Sequence, residues 1–116
     1  MKKLLLLLII PFLSFGQQQT YVPDDAFEEA LIEGGYDDVL DDYVNTNNIN
    51  TVIGFFGSGL GISDLTGIED FAALAYLYVS NNNLTSLDVS NNVNLEHLLC
   101  QNNQLTTLNV SNNPLL

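Results

Sequence analysis

Apolar residues in the second half of the chain recur at fixed offsets, with an asparagine at a set place among them. One copy of this pattern begins at Leu74 and another begins at Leu95, 21 residues later. The two copies are filled by Leu74, Leu77, Val79, Asn82 and Leu84, then by Leu95, Leu98, Cys100, Asn103 and Leu105. Agreement over more than forty residues indicates an internal repeat.

The stretches between these copies carry a shorter echo of the pattern. The echo is filled by Leu84, Leu87, Val89 and Asn92, then by Leu105, Leu108, Val110 and Asn113. A weaker early copy begins at Val52, and Leu116 would begin another. Residues 62–71 carry an apolar residue at every third position, which predicts a short 3₁₀-like segment.

Such a repeat predicts a stack of coils, each made of one short strand and a return segment. A single coil cannot bury its apolar edge, whereas stacked coils bury a shared column of Leu and Val. The Asn at each turn is expected to satisfy backbone groups that are shielded from water. We therefore predict an α/β solenoid of short parallel β-strands at a 21–22-residue period. The predicted structural Asn ladder comprises Asn82, Asn103, Asn92 and Asn113.

The segment before the repeats is acidic, because residues 21–44 hold nine of the fourteen Asp and Glu side chains. Asp25 as the N-cap and Glu28 three residues later are spaced as in a capping box, which predicts the start of a helix. Apolar residues then share one helical face, and Gly34 is expected to end the helix.

A second short helix is predicted over residues 39–44, with Leu40, Tyr43 and Val44 directed inward. The acidic side chains of this region are expected to form a solvated face. Together the two helices would make a small polar cap over the first coil.

The first sixteen residues have the layout of a secretory signal peptide. Lys2 and Lys3 precede an apolar run, and small residues precede a cut before Gln17. The run is too short for a membrane span of roughly twenty residues. We predict a signal peptide at 1–16, an acidic helical cap at 17–48 and about three repeat coils at 49–116. The mature chain is then secreted or at the cell surface, with no membrane insertion after cleavage.

The scarcity of basic residues excludes several classes of function. Lys2 and Lys3 are the only basic residues beside fourteen acidic ones, and the formal net charge is −12. Nucleic-acid binding and attachment to anionic membranes both require cations, and a P-loop requires its Lys. The acidity instead favours basic partners.

The sequence offers little for metal or catalytic chemistry. One Cys and one His, Cys100 and His97, cannot assemble a zinc site of the usual kind. The acidic segment lacks the order of an EF-hand, so a dedicated calcium site is not expected. No metal or other cofactor is therefore predicted.

We also predict that the chain is not an enzyme. A glycosidase needs two carboxylates across a cleft. The acids outside the cap are expected on different faces of the coils, and they are Asp64, Glu69, Asp70, Asp88 and Glu96.

Residues that flank the inward Leu and Val of each strand are expected to point outward in three rows. The rows are Gly54, Tyr76 and His97; Phe56, Tyr78 and Leu99; and Ser58, Ser80 and Gln101. The predicted binding surface consists of Phe56, Tyr76, Tyr78, His97, Leu99 and Gln101. Exposed aromatic residues are favoured interface anchors. The alternative is cross-strand pairing that only stabilises the sheet.

Residues 49–116 resemble leucine-rich repeat proteins. More narrowly, the mature chain resembles secreted leucine-rich repeat proteins of Bacteroidetes-type bacteria, on residues 21–28, 62–69 and 84–90. The resemblance implies a leucine-rich repeat solenoid with a small helical N-terminal cap. It also implies an exported protein that binds other macromolecules.

The sequence leaves three functions open. The first is an interaction module that binds a protein or glycan through its strands. The second is a structural spacer, the N-terminal part of a longer surface adhesin. The third and least favoured is a component of a glycan-active enzyme. Because no polar cap follows the last repeat, we expect either further repeats or self-association at the C-terminal end.

Overall fold

Short parallel strands, one from each coil, stack side by side in the computed structural model, which describes residues 18–116. The predicted signal peptide lies outside the described residues. The elements are β1 (Gln19–Tyr21), α1 (Asp25–Glu33), β2 (Tyr43–Asn45), α2 (Thr46–Ile49), β3 (Gly54–Phe56), a 3₁₀ helix (Ile68–Asp70), β4 (Tyr76–Tyr78) and β5 (His97–Leu99). Among the described residues, no helix is long and apolar enough to cross a membrane.

The parallel sheet has the order β3-β4-β5 and the register that the repeat predicts. Phe55 pairs with Leu77, and Leu77 pairs with Leu98. The first two predicted rows are therefore confirmed as neighbours across the strands; they are Gly54, Tyr76 and His97, and Phe56, Tyr78 and Leu99. The predicted 3₁₀ segment is also present, on the side of the coil that returns from β3 to β4.

The N-cap of helix α1 lies one residue earlier in the chain than the sequence predicted. The N-cap is Asp24, not Asp25, and its Oδ1 accepts from Phe27 N at 3.0 Å. Pro23 precedes Asp24, which has the extended backbone that an N-cap requires. Gly34 ends the helix as predicted, and Gly35 follows at a φ of +83°, a conformation that favours glycine.

The prediction of a second helix over residues 39–44 was wrong. Here β2 pairs antiparallel with β1, and Val44 is buried while Leu40 and Tyr43 are exposed. Tertiary contacts outweigh the weak helical pattern, because the Glu28 carboxylate accepts from the N–H groups of Asp41 and Asp42 at 3.1 and 2.9 Å. These bonds hold the backbone in a turn before β2.

The N-terminal segment, residues 18–48, packs onto the first coil through apolar and polar contacts. The Phe27 ring lies 5.1 Å from the Phe55 ring and 6.0 Å from the Phe71 ring. Asp24 Oδ2 accepts from the backbone N–H groups of Ser63 and Asp64. One aspartate thus starts α1 and also holds the first coil against it.

A single core runs through the segment and the coils. Leu77, Leu84 and Leu95 are completely buried, as are the Phe27 and Phe71 side chains of the first layers. The last coil differs, because Leu108, Val110, Leu115 and Leu116 are all exposed. These four residues form the end face, the apolar surface at the C-terminal end of the stack.

Candidate functional site

The predicted binding residues lie together on one side of the parallel sheet, and we call this surface the strand face. It consists of Phe56 on β3, Tyr76 and Tyr78 on β4, His97 and Leu99 on β5, and Gln101. Alternation along each strand places the residues of β3, β4 and β5 opposite the inward column of Phe55 and Leu77, which are buried, and Leu98, which is partly buried. Neighbouring coils bring residues 21 or 22 positions apart side by side.

Four rings of the strand face form two contacting pairs. Tyr76 and His97 stack with ring centres 5.0 Å apart and planes inclined by 8°. Phe56 and Tyr78 meet edge to face, with ring centres 5.1 Å apart and planes inclined by 79°. The Phe56–Tyr78 pair joins β3 to β4 and the Tyr76–His97 pair joins β4 to β5, so the two pairs together span the three strands.

Exposure differs along the strand face. Phe56 is 67% exposed and Leu99 is 43% exposed. His97 and Gln101 are also exposed, whereas Tyr76 and Tyr78 are half-buried. The strand face therefore presents apolar and aromatic surface to solvent at both its edges.

The third row corrects one expectation. Ser80 was predicted to point outward, but it is only 4% exposed. Its Oγ is buried and has no hydrogen-bond partner among the described residues. Ser58 and Gln101 on either side are exposed. The alternation pattern did not indicate this burial, because Ser80 lies beyond the end of β4 at Tyr78.

The asparagines after the strands bond to the backbone of two coils. Asn82 Oδ1 accepts from Leu60 N and Ile62 N at 3.0 and 2.9 Å. Its Nδ2 donates to Gly57 O and Val79 O at 2.8 and 2.9 Å. Asn103 repeats the arrangement one coil later, accepting from Leu84 N and donating to Val79 O. These side chains hold the turns and face away from any ligand surface.

Asn92 and Asn113 form a second series on the return side of the coils. Asn92 Nδ2 donates to Ile68 O at 2.9 Å, and Asn113 Nδ2 donates to Val89 O at 2.9 Å. Both are buried, and neither Oδ1 atom has a hydrogen-bond partner within residues 18–116. The side-chain amides of Asn92 and Asn113 thus have fewer of their hydrogen-bonding groups paired than those of Asn82 and Asn103.

A repeated turn on the polar side of the coils was not noticed in the sequence. Asp64 Oδ1 accepts from Thr66 N, and Asp88 Oδ1 accepts from Ser90 N, each residue bonding two positions ahead. Hydrogen bonds from the Ser90 hydroxyl and N–H lower the pKa of Asp88. The pattern of Asp or Asn two residues before Ser or Thr is the signal that would have revealed these turns.

The acids of the N-terminal segment do not all lie on a solvated face, which corrects a further expectation. Glu28 is completely buried, and one carboxylate oxygen from each of Glu28, Asp37 and Asp41 lies within 4.8 Å of the others. Asp37 Oδ2 is buried without a hydrogen-bond partner in the described part of the chain.

The pKa of Glu28 is raised to about 7, mainly by burial and also by the neighbouring Asp37 carboxyl, although hydrogen bonds from the Asp41 and Asp42 N–H groups act to lower it. Three oxygens at this spacing could hold a cation. Crowded acids also occur without one, so the cluster alone assigns no metal.

Cys100 occupies an inward position of the repeat and is half-buried against the core. Burial raises the pKa of its thiol, which lowers the fraction of the reactive thiolate at neutral pH. His97 stacks on Tyr76 on the other side of the strand. The geometry therefore does not bring these two residues together as a catalytic pair.

Sequence comparisons find no matching protein-family model and no matching curated protein. Solved structures do match. The functional domain of InlJ from Listeria monocytogenes, described as including a cysteine ladder, superposes with a TM-score of 0.74 at 31% identity, covering 86% of this chain and 23% of that one. Internalin InlF from the same organism gives a TM-score of 0.76 at 23% identity, covering 83% of this chain and 29% of that one.

Internalin C2 of Listeria monocytogenes gives a TM-score of 0.76 at 19% identity, covering 85% of this chain and 46% of that one. The chain thus spans less than half the length of each of these proteins. The 116 residues contain a single cysteine, Cys100, so they hold no counterpart of a cysteine ladder. The narrower resemblance to proteins of Bacteroidetes-type bacteria stays a prediction.

The stacked parallel strands, their 21- and 22-residue spacing and the shared architecture with internalins all agree. They confirm the predicted α/β solenoid. The chain is a leucine-rich repeat protein.

Proposed function

We propose that this protein is an exported interaction module that binds a protein or glycan partner through its strand face. The observation that carries the proposal is the two ring pairs that together span three strands, with Phe56 67% exposed at one edge. Solenoids commonly bind through such extended surfaces. Aromatic rings supply large contact area at a small cost in side-chain entropy.

Cross-strand pairing alone does not account for these ring pairs. An edge-to-face ring pair contributes roughly 1 kcal/mol, which a smaller apolar residue on a strand could largely replace. Phe56 touches Tyr78 but leaves most of its surface in water, where an apolar ring gains nothing from burial. A surface that becomes buried on binding explains both the ring contact and the remaining exposure.

Site-specific photo-crosslinking tests the proposal. A benzophenone amino acid at position 56 is expected to crosslink a partner from cells or cell-surface extracts. The same probe at Thr107, which is exposed on the polar side, serves as the matched control. Crosslinking at position 56 should disappear when Tyr76 and Tyr78 are both changed to Ala, while circular dichroism shows an intact fold. Equal crosslinking at both positions, or no effect of the double change, would contradict the proposal.

A second candidate function, a structural spacer within a longer adhesin, is favoured by the end face. Leu108 and Val110 are 42% and 40% exposed, although their template equivalents Leu87 and Val89 are 9% and 0% exposed. A further coil of the same template would bury the end face as each earlier coil is buried. Self-association through the end face would bury the same residues.

Two measurements separate these alternatives. Light scattering of the chain reports self-association, and Leu108→Glu should abolish it if the end face is responsible. A variant with residues 96–116 duplicated after Leu116 tests stacking, because the added coil should protect the amides of residues 105–113 from hydrogen exchange. A soluble monomer whose protection does not change would argue against both uses of the end face.

We do not propose catalysis. Asp64 and Asp88 are held in turns, and Asp70 Oδ2 accepts from the Thr20 hydroxyl at 2.7 Å. These contacts favour structural roles for the acids outside the N-terminal segment. Export rests on the predicted signal peptide, and an N-terminus at Gln17 in the secreted protein, measured by mass spectrometry, would support a secreted or cell-surface location.

A further inference from the structure

The strand face presents aromatic rings, and residues 18–116 contain no Lys or Arg that could lie over them. Within the 116 residues, no Lys or Arg follows Lys3. A Lys or Arg within roughly 6 Å of a ring centre is attracted by the negative face of the ring. Any Lys or Arg that lies over Phe56, Tyr76 or Tyr78 must therefore come from outside residues 18–116.

The ring pairs leave ring surface for such a cation. Tyr76 is stacked face to face with His97, which covers one of its two faces. Phe56 and Tyr78 meet edge to face, a geometry in which one ring of the pair keeps both faces clear of its partner's face. Phe56 is the more exposed of these two rings, and Tyr78 lies at the centre of the three-strand sheet.

Long-range charge favours the same kind of partner. All fourteen acidic side chains lie after residue 17, where no Lys or Arg opposes them. A surface with this imbalance attracts basic molecules, repels acidic ones and is indifferent to neutral glycans. Glu96, which is exposed and immediately precedes β5, adds one carboxylate next to His97 in the chain.

We propose that the partner is a protein with a basic segment, whose Arg or Lys side chains lie on the rings of Phe56 and Tyr78 in the strand face. This inference rests on the proposed function and narrows its partner. The rings supply the contact surface, and the acidic chain raises the rate of encounter. A neutral glycan would instead depend on hydrogen bonds to the Tyr hydroxyls and to Gln101.

Three synthetic peptides serve as probes: six Arg-Gly units, six citrulline-Gly units and six Glu-Gly units. Citrulline has nearly the shape of Arg without its charge. We expect the Arg peptide to bind at about 150 mM salt by calorimetry, with the citrulline peptide at least about tenfold weaker and the Glu peptide not binding.

Variants then locate the peptide. Changing Tyr76 and Tyr78 together to Ala should lower the affinity for the Arg peptide by about tenfold. Changing both to Phe keeps the rings and should lower the affinity much less. Glu29→Gln with Glu33→Gln removes two exposed charges from α1 and should change affinity by less than about threefold, which controls for attraction to the acidic segment.

Gln101 offers a matched pair of charge changes at the edge of the strand face. Gln101→Glu should raise the affinity for the Arg peptide and Gln101→Lys should lower it, each by about twofold to fivefold. Thermal unfolding of each variant confirms that the fold is retained.

The outcomes distinguish this inference from the proposed function. If the Ala pair binds the Arg peptide normally, the peptide lies elsewhere and the inference is wrong. The inference also fails if the citrulline peptide binds as tightly as the Arg peptide, or if the Arg peptide does not bind at millimolar concentration. In each of these cases crosslinking at position 56 still decides the proposed function.

Discussion

The two ends of the stack in residues 18–116 differ in how far their apolar side chains are buried. At the N-terminal end, α1 buries Phe27 completely against the rings of Phe55 and Phe71. At the C-terminal end, Leu116 remains about half exposed, whereas its template equivalents Leu74 and Leu95 are completely buried. Template position therefore sets the direction of a side chain, whereas burial requires a neighbour on each side.

The largest difference between an interior and a terminal coil is expected at the asparagines. Asn82→Ala should destabilise the fold by about 4 kcal/mol, because two backbone N–H groups and two carbonyls lose their buried partner. Asn103→Ala removes fewer bonds from a half-buried site and should cost about 2 kcal/mol. Urea unfolding of both variants measures the difference. Equal costs would break the comparison between the two coils.

Apolar positions should show the same contrast on a smaller scale. Leu84→Ala removes a completely buried side chain and should cost about 3 kcal/mol, whereas the equivalent Leu105→Ala should cost about 1 kcal/mol. Leu105 is only partly buried, since no coil covers it in the described chain. In a chain carrying an added coil, the cost of Leu105→Ala should rise toward that of Leu84→Ala. An unchanged cost would argue that the added coil does not stack.

The N-terminal end should respond to pH through Glu28. Its pKa rises from 4.5 to about 7 in the folded protein, mainly through burial, so the folded state holds the proton more tightly than the unfolded state. Stability from this group is complete below about pH 4.5 and is lost as pH rises through 7, by an amount on the order of 1 kcal/mol.

Glu28→Gln should flatten this part of the pH profile of the free energy of unfolding. The Gln amide can also donate to Asp37 Oδ2, which has no donor among residues 18–116. The exposed Glu29→Gln is the matched control and should leave the slope nearly unchanged. A Glu28→Gln variant with the wild-type slope would show that Glu28 is not the titrating group.

The smallest expected effect is at the strand face. Phe56→Ala should destabilise the fold by less than about 1 kcal/mol, because the ring is mostly exposed and its contact with the Tyr78 ring is worth roughly that amount. Calorimetric unfolding checks this value. A cost of 3 kcal/mol would favour stabilisation of the sheet over binding as the purpose of the ring.

The repeat made much of the architecture predictable from sequence. The spacing of the repeat predicts the strand pairing of Phe55, Leu77 and Leu98, because stacked coils of 21 or 22 residues place equivalent template positions side by side. The rows of the strand face followed from alternation along each strand. Ser80 departed from its row, since burial of a small side chain depends on the neighbouring side chains and not on its own position.

The N-terminal segment was harder to predict because no repeat constrains it. A weak helical pattern over residues 39–44 was overruled by contacts from distant residues, above all the Glu28 carboxylate bonds to Asp41 and Asp42. Its charge pattern suggested a solvated face, yet Glu28 is buried. Such a site is settled by tertiary packing, which local propensity does not report.

The backward direction of the asparagine bonds has a mechanical consequence. Asn103 ties the last coil to Val79, and Asn113 ties it to Val89 and Asn92, so the last coil is held by the coil beneath it. A force applied at residue 116 therefore loads the last coil before the others. Each 21-residue coil that detaches lengthens the chain by about 70 Å. Under tension the stack would yield in successive small steps and so absorb work while its first coils stay folded.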